Sequence, residues 1–284
     1  MTDSDFDLFS SLRYDPILTT QPLNLEFWDP PASSPSPFYM ARYHQDRMLQ
    51  AAQHFNWPAA ITTISGPQGF RLLLRKLSEA IDLSSPTPLR IRTLLSKEGV
   101  LKIEWYPTGL AELVNLFPNR LPPPSSVRQA VPEVSSLTGG ALKSDDIYGD
   151  PPLTNPFLVI PDTKPTPRSS YTSYKTTSRG IYDDARLRVG IKGRTERREV
   201  LLYSDKDGGA IMEGSLTSPY FWREGKWTTP PVASGGQIGT TRRWAIERGF
   251  AVEGVVKAGE LVDGEECWIS NGVMGFQWGR VKLS

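Results

Sequence analysis

Cysteine and histidine are nearly missing from this 284-residue chain, and the shortage removes several chemistries at once. The lone Cys267 cannot close an internal disulfide, and His44 and His54 cannot furnish the three-histidine or cysteine/histidine sets that hold zinc. No metal site is expected. No apolar run approaches the roughly 18 residues of a membrane span. The opening MTDSDFDLFSS carries acids where a signal or transit peptide is basic. The expectation is a soluble, cytoplasmic protein with no membrane partner. Neither sign of charge is in excess: 32 Lys and Arg against 31 Asp and Glu leave +1, so no global field draws in nucleic acid. Any anionic ligand must be held by local groups. Three signature turns are also absent. Without GxSxG, a GxGxxG after a strand, or GxxxxGK[ST], the α/β-hydrolase, Rossmann and P-loop readings lack their backbone.

Proline, by contrast, is plentiful at 25 residues, and it clusters at 29–37, 107–156 and 163–167. Proline removes a backbone donor and pushes the preceding residue out of the helical region, so these stretches read as loops or connectors. The middle one divides the chain into an N-terminal domain (1–106), a Pro-rich linker or insertion (107–154) and a larger C-terminal domain (155–284). Helical spacing of Met48, Leu49, Ala52 and Phe55 predicts a helix over 42–55. Ser65 and Gln68 read as a capping box opening a second helix along Phe70, Leu73, Leu74, Leu77 and Ile81. Residues 89–95 and 100–105 read as a hairpin. Beyond the linker, 157–160 predicts a strand and 182–191 a helix ended by Gly193. Residues 199–203, 210–213, 219–222 and 226–228 predict an antiparallel meander, 241–248 a helix, 251–256 a strand, and 267–270 with 276–283 a final hairpin. The fold class is α+β.

Three C-terminal segments carry the chemistry. YKTTSRGIYDDAR (174–186) offers a lysine before a helix, IMEGSLTSPYFW (211–222) puts a carboxylate in an apolar strand, and TPPVASGGQIGTTR (229–242) leads a glycine-rich turn into a helix N-terminus. Backbone N–H groups and hydroxyls at such a terminus suit a phosphate. A buried Glu213 beside a heteroaromatic nitrogen would keep it protonated, and a desolvated Lys175 would be both nucleophile and proton carrier. Each residue also has an ordinary reading: a surface lysine, an outward strand glutamate, a capping threonine.

Taken in order, these phrases resemble the class IV family of pyridoxal-phosphate enzymes, which takes in branched-chain and D-amino-acid aminotransferases and aminodeoxychorismate lyases. The likeness spans nearly the whole chain and implies that family's two-domain α+β fold, pyridoxal 5'-phosphate as cofactor, a small-molecule substrate and a homodimer. It implies Lys175 as the Schiff-base lysine. Glu213 would face the pyridine nitrogen, in a phrase with serine where asparagine is usual. Gly239, Thr240 and Thr241 would bind phosphate, Ser270, Asn271 and Gly272 would border it, and Arg47, in HQDRMLQAA (44–52), would reach it from the small domain. LFSSLRY (8–14) stands where the family has F-E-[GT]-[IL]-R, and its glutamate is missing. That departure leans toward the lyase branch and marks Ser11, Arg13 and Tyr14 as substrate-side residues. Arg92 is a candidate for a substrate carboxylate, its alternative being an exposed strand arginine. The implied activity is that of 4-amino-4-deoxychorismate lyase, releasing pyruvate and 4-aminobenzoate for folate synthesis. The alternatives are a class IV transaminase of D-amino acids or (R)-amines, and a non-catalytic relative that takes up no cofactor.

Overall fold

The computed structural model of the chain describes residues 6–27, 35–128, 150–193 and 195–283. Most of the proline cluster at 29–37, and the centre of the 107–156 stretch, lie outside the described residues.

Strand β1 (Leu8–Tyr14) pairs antiparallel with β2 (Leu89–Leu95), and β2 with β3 (Leu101–Pro107), the hairpin expected from sequence. Side chains alternate across such a sheet. Leu8, Leu12, Tyr14, Ile91 and Leu95 are buried with Met48 and Ala52 of α1 (Ala41–His54), Ile64 of α2 (Pro58–Ile64) and Phe70, Leu73 and Leu77 of α3 (Gly66–Ala80). Phe9, Ser11 and Arg90 belong to the other face and line the cavity described below. The capping box expected at Ser65 does not form. Ser65 also ends α2, and its hydroxyl donates back to the Ile61 carbonyl at 2.6 Å.

The second sheet has eight strands in the order β6-β5-β4-β11-β10-β7-β8-β9. They are β4 (Phe157–Pro161), β5 (Arg198–Tyr203), β6 (Ile211–Gly214), β7 (Ser218–Arg223), β8 (Lys226–Thr229), β9 (Val252–Glu253), β10 (Glu266–Asn271) and β11 (Gly275–Val281). The expected meander is therefore split. β5–β6 and β7–β8 are hairpins, but β4, β11 and β10 lie between them. The sheet curls so that β6 and β7, with four strands between them in hydrogen-bonding order, still approach each other across the short turn that joins them, where the Gly214 N–H donates to the Thr217 carbonyl at 2.8 Å. The strand expected over 251–256 is divided as well. Val252 and Glu253 pair with β8, whereas the Val256 carbonyl accepts from Ile211 of β6 at 2.8 Å, so this segment ties the two sheet edges together.

Helices α4 (Leu113–Leu116), α5 (Ser125–Arg128), α6 (Ser170–Ser173), α7 (Gly180–Arg188) and α8 (Thr240–Glu247) surround the strands. α7 stops before the Gly193 expected to end it, because Gly190 already takes the left-handed conformation (φ 72°). Leu116, Phe117 and Leu121 are not a loose connector. They are buried with Trp227, Trp244, Trp268 and Phe276 and with Leu18, Tyr39 and Met40, so segments from both halves share one core. No helix among the described residues is long and apolar enough to cross a membrane.

Candidate active site

Lys175 lies on the extended segment between α6 and α7, and this segment is fastened to β1. The Phe9 N–H donates to the Lys175 carbonyl at 3.0 Å and the Thr177 N–H to the Asp7 carbonyl at 2.9 Å, on either side of a bridge between Leu8 and Thr176. The Lys175 ammonium stands 5.0 Å from the centre of the Phe9 ring.

Glu213 is on the edge strand β6 and is 8% exposed. Its Oε1 accepts from the Tyr182 hydroxyl at 2.5 Å, and the Gln237 backbone N–H also donates to the carboxyl. The Tyr182 oxygen in turn accepts from Gln237 Nε2 at 2.8 Å. Burial pushes the Glu213 carboxyl up to about 7, against the opposing effects of the Tyr182 hydrogen bond and the charges of Lys175 and Arg179. Gln237 reaches this position because residue 236 is glycine, where a Cβ would collide with the Met212 carbonyl. A second buried carboxylate, Glu199, accepts from the hydroxyls of Ser215 (2.5 Å) and Thr217 (2.9 Å) and from the Leu216 N–H (3.0 Å), fixing the turn that follows β6.

Lys175 and Glu213 line one cavity of about 400 Å³, ample for a small ligand. Arg47, Gly239, Thr240, Ser270, Asn271 and Gly272 border it too. Arg47 Nη2 donates to the Ser10 hydroxyl, which lies 2.7 Å from His44 Nδ1. Burial lowers the Arg47 guanidinium only to about 10, so it stays charged at neutral pH. Burial, with the charges of Arg47 and Lys175 adding to it, holds His44 well below its ordinary range and therefore neutral. Arg47 Nε, His44 Nε2 and Thr240 Oγ1 are buried without a hydrogen-bond partner among the described residues. α8 starts here on Gly239, which has no side chain to cap its first N–H groups. A Cβ at Gly239 would collide with the Ser218 hydroxyl, and one at Gly272 would lie 2.6 Å from His44 Cε1. A buried cation, an unpartnered hydroxyl and an uncapped helix start, all bordering one cavity, form a donor set that fits a phosphate.

The remaining residues singled out from sequence are placed less uniformly. Ser11 lines the cavity. Arg13 is on the same face of β1, but its Nε donates to Asp15 at 2.8 Å and Nη2 to the Gly109 carbonyl at 3.0 Å. The Tyr14 hydroxyl donates to the Leu83 carbonyl at 2.9 Å, and Arg92 pairs with Glu104 at 2.8 Å. These three are taken up by structural partners and do not line the cavity. Neither does Thr241, whose hydroxyl lies 2.8 Å from that of Ser270, which is itself 2.8 Å from the Tyr220 hydroxyl. Asn271 holds the β10–β11 turn, its Oδ1 accepting from Val273 and Met274 at 2.9 Å. Phe9, Arg90, Arg179, Gln237 and the supporting Tyr182 and His44 were not singled out. Arg179 and Tyr182 follow Lys175 in the same phrase, but no spacing rule reveals that Tyr182 meets a carboxylate 31 positions on.

The chain belongs to the class IV amino-transferase family, whose model matches residues 32–278. The family is one of pyridoxal-phosphate enzymes, and this chain has its fold. Among curated proteins, the aminodeoxychorismate lyase of Saccharomyces cerevisiae (strain ATCC 204508 / S288c) is 30% identical over 207 residues, which cover 68% of this chain and 51% of that one. The chain therefore spans about half the length of that relative. A Mesorhizobium loti protein assigned as an amino-acid aminotransferase has a similar structure (TM-score 0.63, 18% identity, 99% of this chain and 100% of that one). The branched-chain amino acid aminotransferase of Escherichia coli is also similar (TM-score 0.58, 15% identity, 99% of this chain and 77% of that one).

Proposed function

We propose that this chain binds pyridoxal 5'-phosphate and acts as a 4-amino-4-deoxychorismate lyase, releasing pyruvate and 4-aminobenzoate. The observation that carries the reading is one cavity lined by a lysine, a buried carboxylate and an anion-binding donor set. The likeness to the yeast lyase supports this chemistry over others in the family. So does Ser10, which stands where the family's F-E-[GT]-[IL]-R phrase carries glutamate.

Arg47, Thr240 Oγ1 and the N–H groups at the start of α8 would hold the phosphate, with Ser270 and Gly272 beside it. Glu213 would take the ring nitrogen. Its raised pKa suits a carboxyl that shares a proton with a basic nitrogen, and Tyr182 and Gln237 fix its orientation. When bound, the cofactor supplies an aldehyde that captures amines and a ring that draws electrons from the neighbouring carbon. Lys175 Nζ then takes the proton from the carbon bearing the substrate's amine. That C–H electron pair enters the carbocycle as the neighbouring C–O bond breaks, which makes the ring aromatic. The proton on Nζ passes to the departing enolpyruvate, which becomes pyruvate. Ser11, on the β1 face bordering the cavity, contacts substrate. No second amine acceptor enters this balance.

The test is to incubate the purified protein with aminodeoxychorismate and follow pyruvate, with and without an added keto acid. Pyruvate release needing no keto acid is expected, and Lys175→Ala should lose both the visible absorption of the bound cofactor and turnover. An obligatory keto acid would instead establish a transaminase.

A further inference from the structure

Four arginines other than Arg47 line the cavity: Arg90, Arg179, Arg186 and Arg198. Two are absorbed by the scaffold. Arg186 donates to the Ser215 hydroxyl (3.1 Å) and the Gly193 carbonyl (2.7 Å), and Arg198 to the carbonyls of Gly190 (3.1 Å) and Val189 (2.7 Å). Arg90 lies with its guanidinium carbon 5.5 Å from the centre of the Tyr106 ring, and Tyr106 is half-exposed.

Arg179 differs from all three. It follows Lys175 by four residues and stands between two aromatic rings, its guanidinium carbon 4.2 Å from the centre of Tyr182 and 5.9 Å from that of Phe9. Its Nη2 donates to the Ser215 carbonyl at 2.6 Å, which fixes the plane of the group. Its Nη1 is buried and has no acceptor among the described residues. A buried guanidinium N–H without an acceptor carries a desolvation penalty that an acceptor in the cavity removes. The residue also packs on the phenol that donates to Glu213, and the Phe9 ring beside it is the one faced by Lys175.

We infer that Arg179 is a second anion-binding residue of this site, its Nη1 donating to an anionic oxygen carried by the occupant of the cavity beside Lys175 and Glu213. The inference rests on the reading that the cavity holds pyridoxal phosphate. Two oxygens have the required chemistry: the phenolate on the cofactor ring, ortho to its aldehyde, and a carboxylate of the substrate. Either is recognised by a planar donor whose orientation is already set by stacking, a role the ammonium of lysine does not reproduce.

Arg179→Gln and Arg179→Lys, each checked for an unchanged melting temperature without cofactor, separate the two sources. Pyridoxal phosphate is titrated into each protein and followed by its visible band. Benzoate, a carboxylate probe, is then titrated into the loaded protein. If the phenolate is the partner, both variants shift the band and weaken cofactor binding by about tenfold or more, the loss of one charged hydrogen bond. If the carboxylate is the partner, band and cofactor affinity stay as in wild type and benzoate binding falls by a similar factor. Variants that change neither, beside a wild type that takes up the cofactor through Lys175, overturn the inference and leave the underlying reading intact. A wild type that takes up no cofactor removes that reading and the inference with it.

Discussion

Glu213 is kept from its ordinary behaviour by burial, and this makes the cofactor-free protein sensitive to pH. A carboxyl raised from 4.5 to about 7 on folding binds more protons in the folded than in the unfolded state between those values. Its stabilising contribution is complete below about 4.5 and is lost as pH rises through 7, so the unloaded protein should lose on the order of 1–3 kcal/mol across that window. Glu213→Gln should flatten that part of the curve, as measured by melting temperature against pH. Lys175 and Glu213 stand out in sequence as single residues in distinctive phrases, and both line the cavity. The partners that hold them do not stand out, since Tyr182 and Gln237 reach Glu213 through folding alone. Arg13 and Tyr14, also named from the sequence, are placed differently. A strand's position beside a site is readable, but whether its side chains are free depends on Asp15, Gly109 and Leu83.

At the level of elements, locally encoded units were readable and the order of strands was not. The stripe Met48–Ala52 and the hairpin of β2 and β3 carry their own periodicity. The separation of β6 from β7 depends on three strands that come from elsewhere in the chain, one before β5 and two after β9. The segment that lets the curled sheet serve the site is the glycine pair before Gln237. Gly235 has φ 102°, and Gly236 lies against the Met212 carbonyl, so the turn touches the strand bearing Glu213. Gly236→Ala should destabilise the protein by about 1–3 kcal/mol through overpacking and displace Gln237 from Glu213. The expected result is a lower denaturant midpoint together with weaker uptake of pyridoxal phosphate. An unchanged midpoint would show that the turn yields without cost.

Across the whole molecule, segments from both halves of the chain meet in a core that neither half owns. Phe117 is fully buried, its ring 5.2 Å from that of Tyr39 and 5.8 Å from that of Trp244, and the Tyr39 hydroxyl donates to the Leu116 carbonyl. Phe117→Ala should cost about 3–5 kcal/mol. Because the cavity it leaves lies between segments from both halves, far-UV and tryptophan signals should fall in one shared transition. Two separate transitions would mean that the halves unfold independently. The proline-rich composition around this residue pointed toward a connector, and only tertiary packing turns the segment into core.

The seam between β1 and the Lys175 segment bears on how a ligand gains entry. Because main-chain bonds from Phe9 and Thr177 clamp the Lys175 segment to the chain at β1, the molecule cannot gape along that line without unzipping them. The half-exposed Tyr106, with Arg90 beside it, borders the same cavity, and a ligand entering past them leaves those bonds intact.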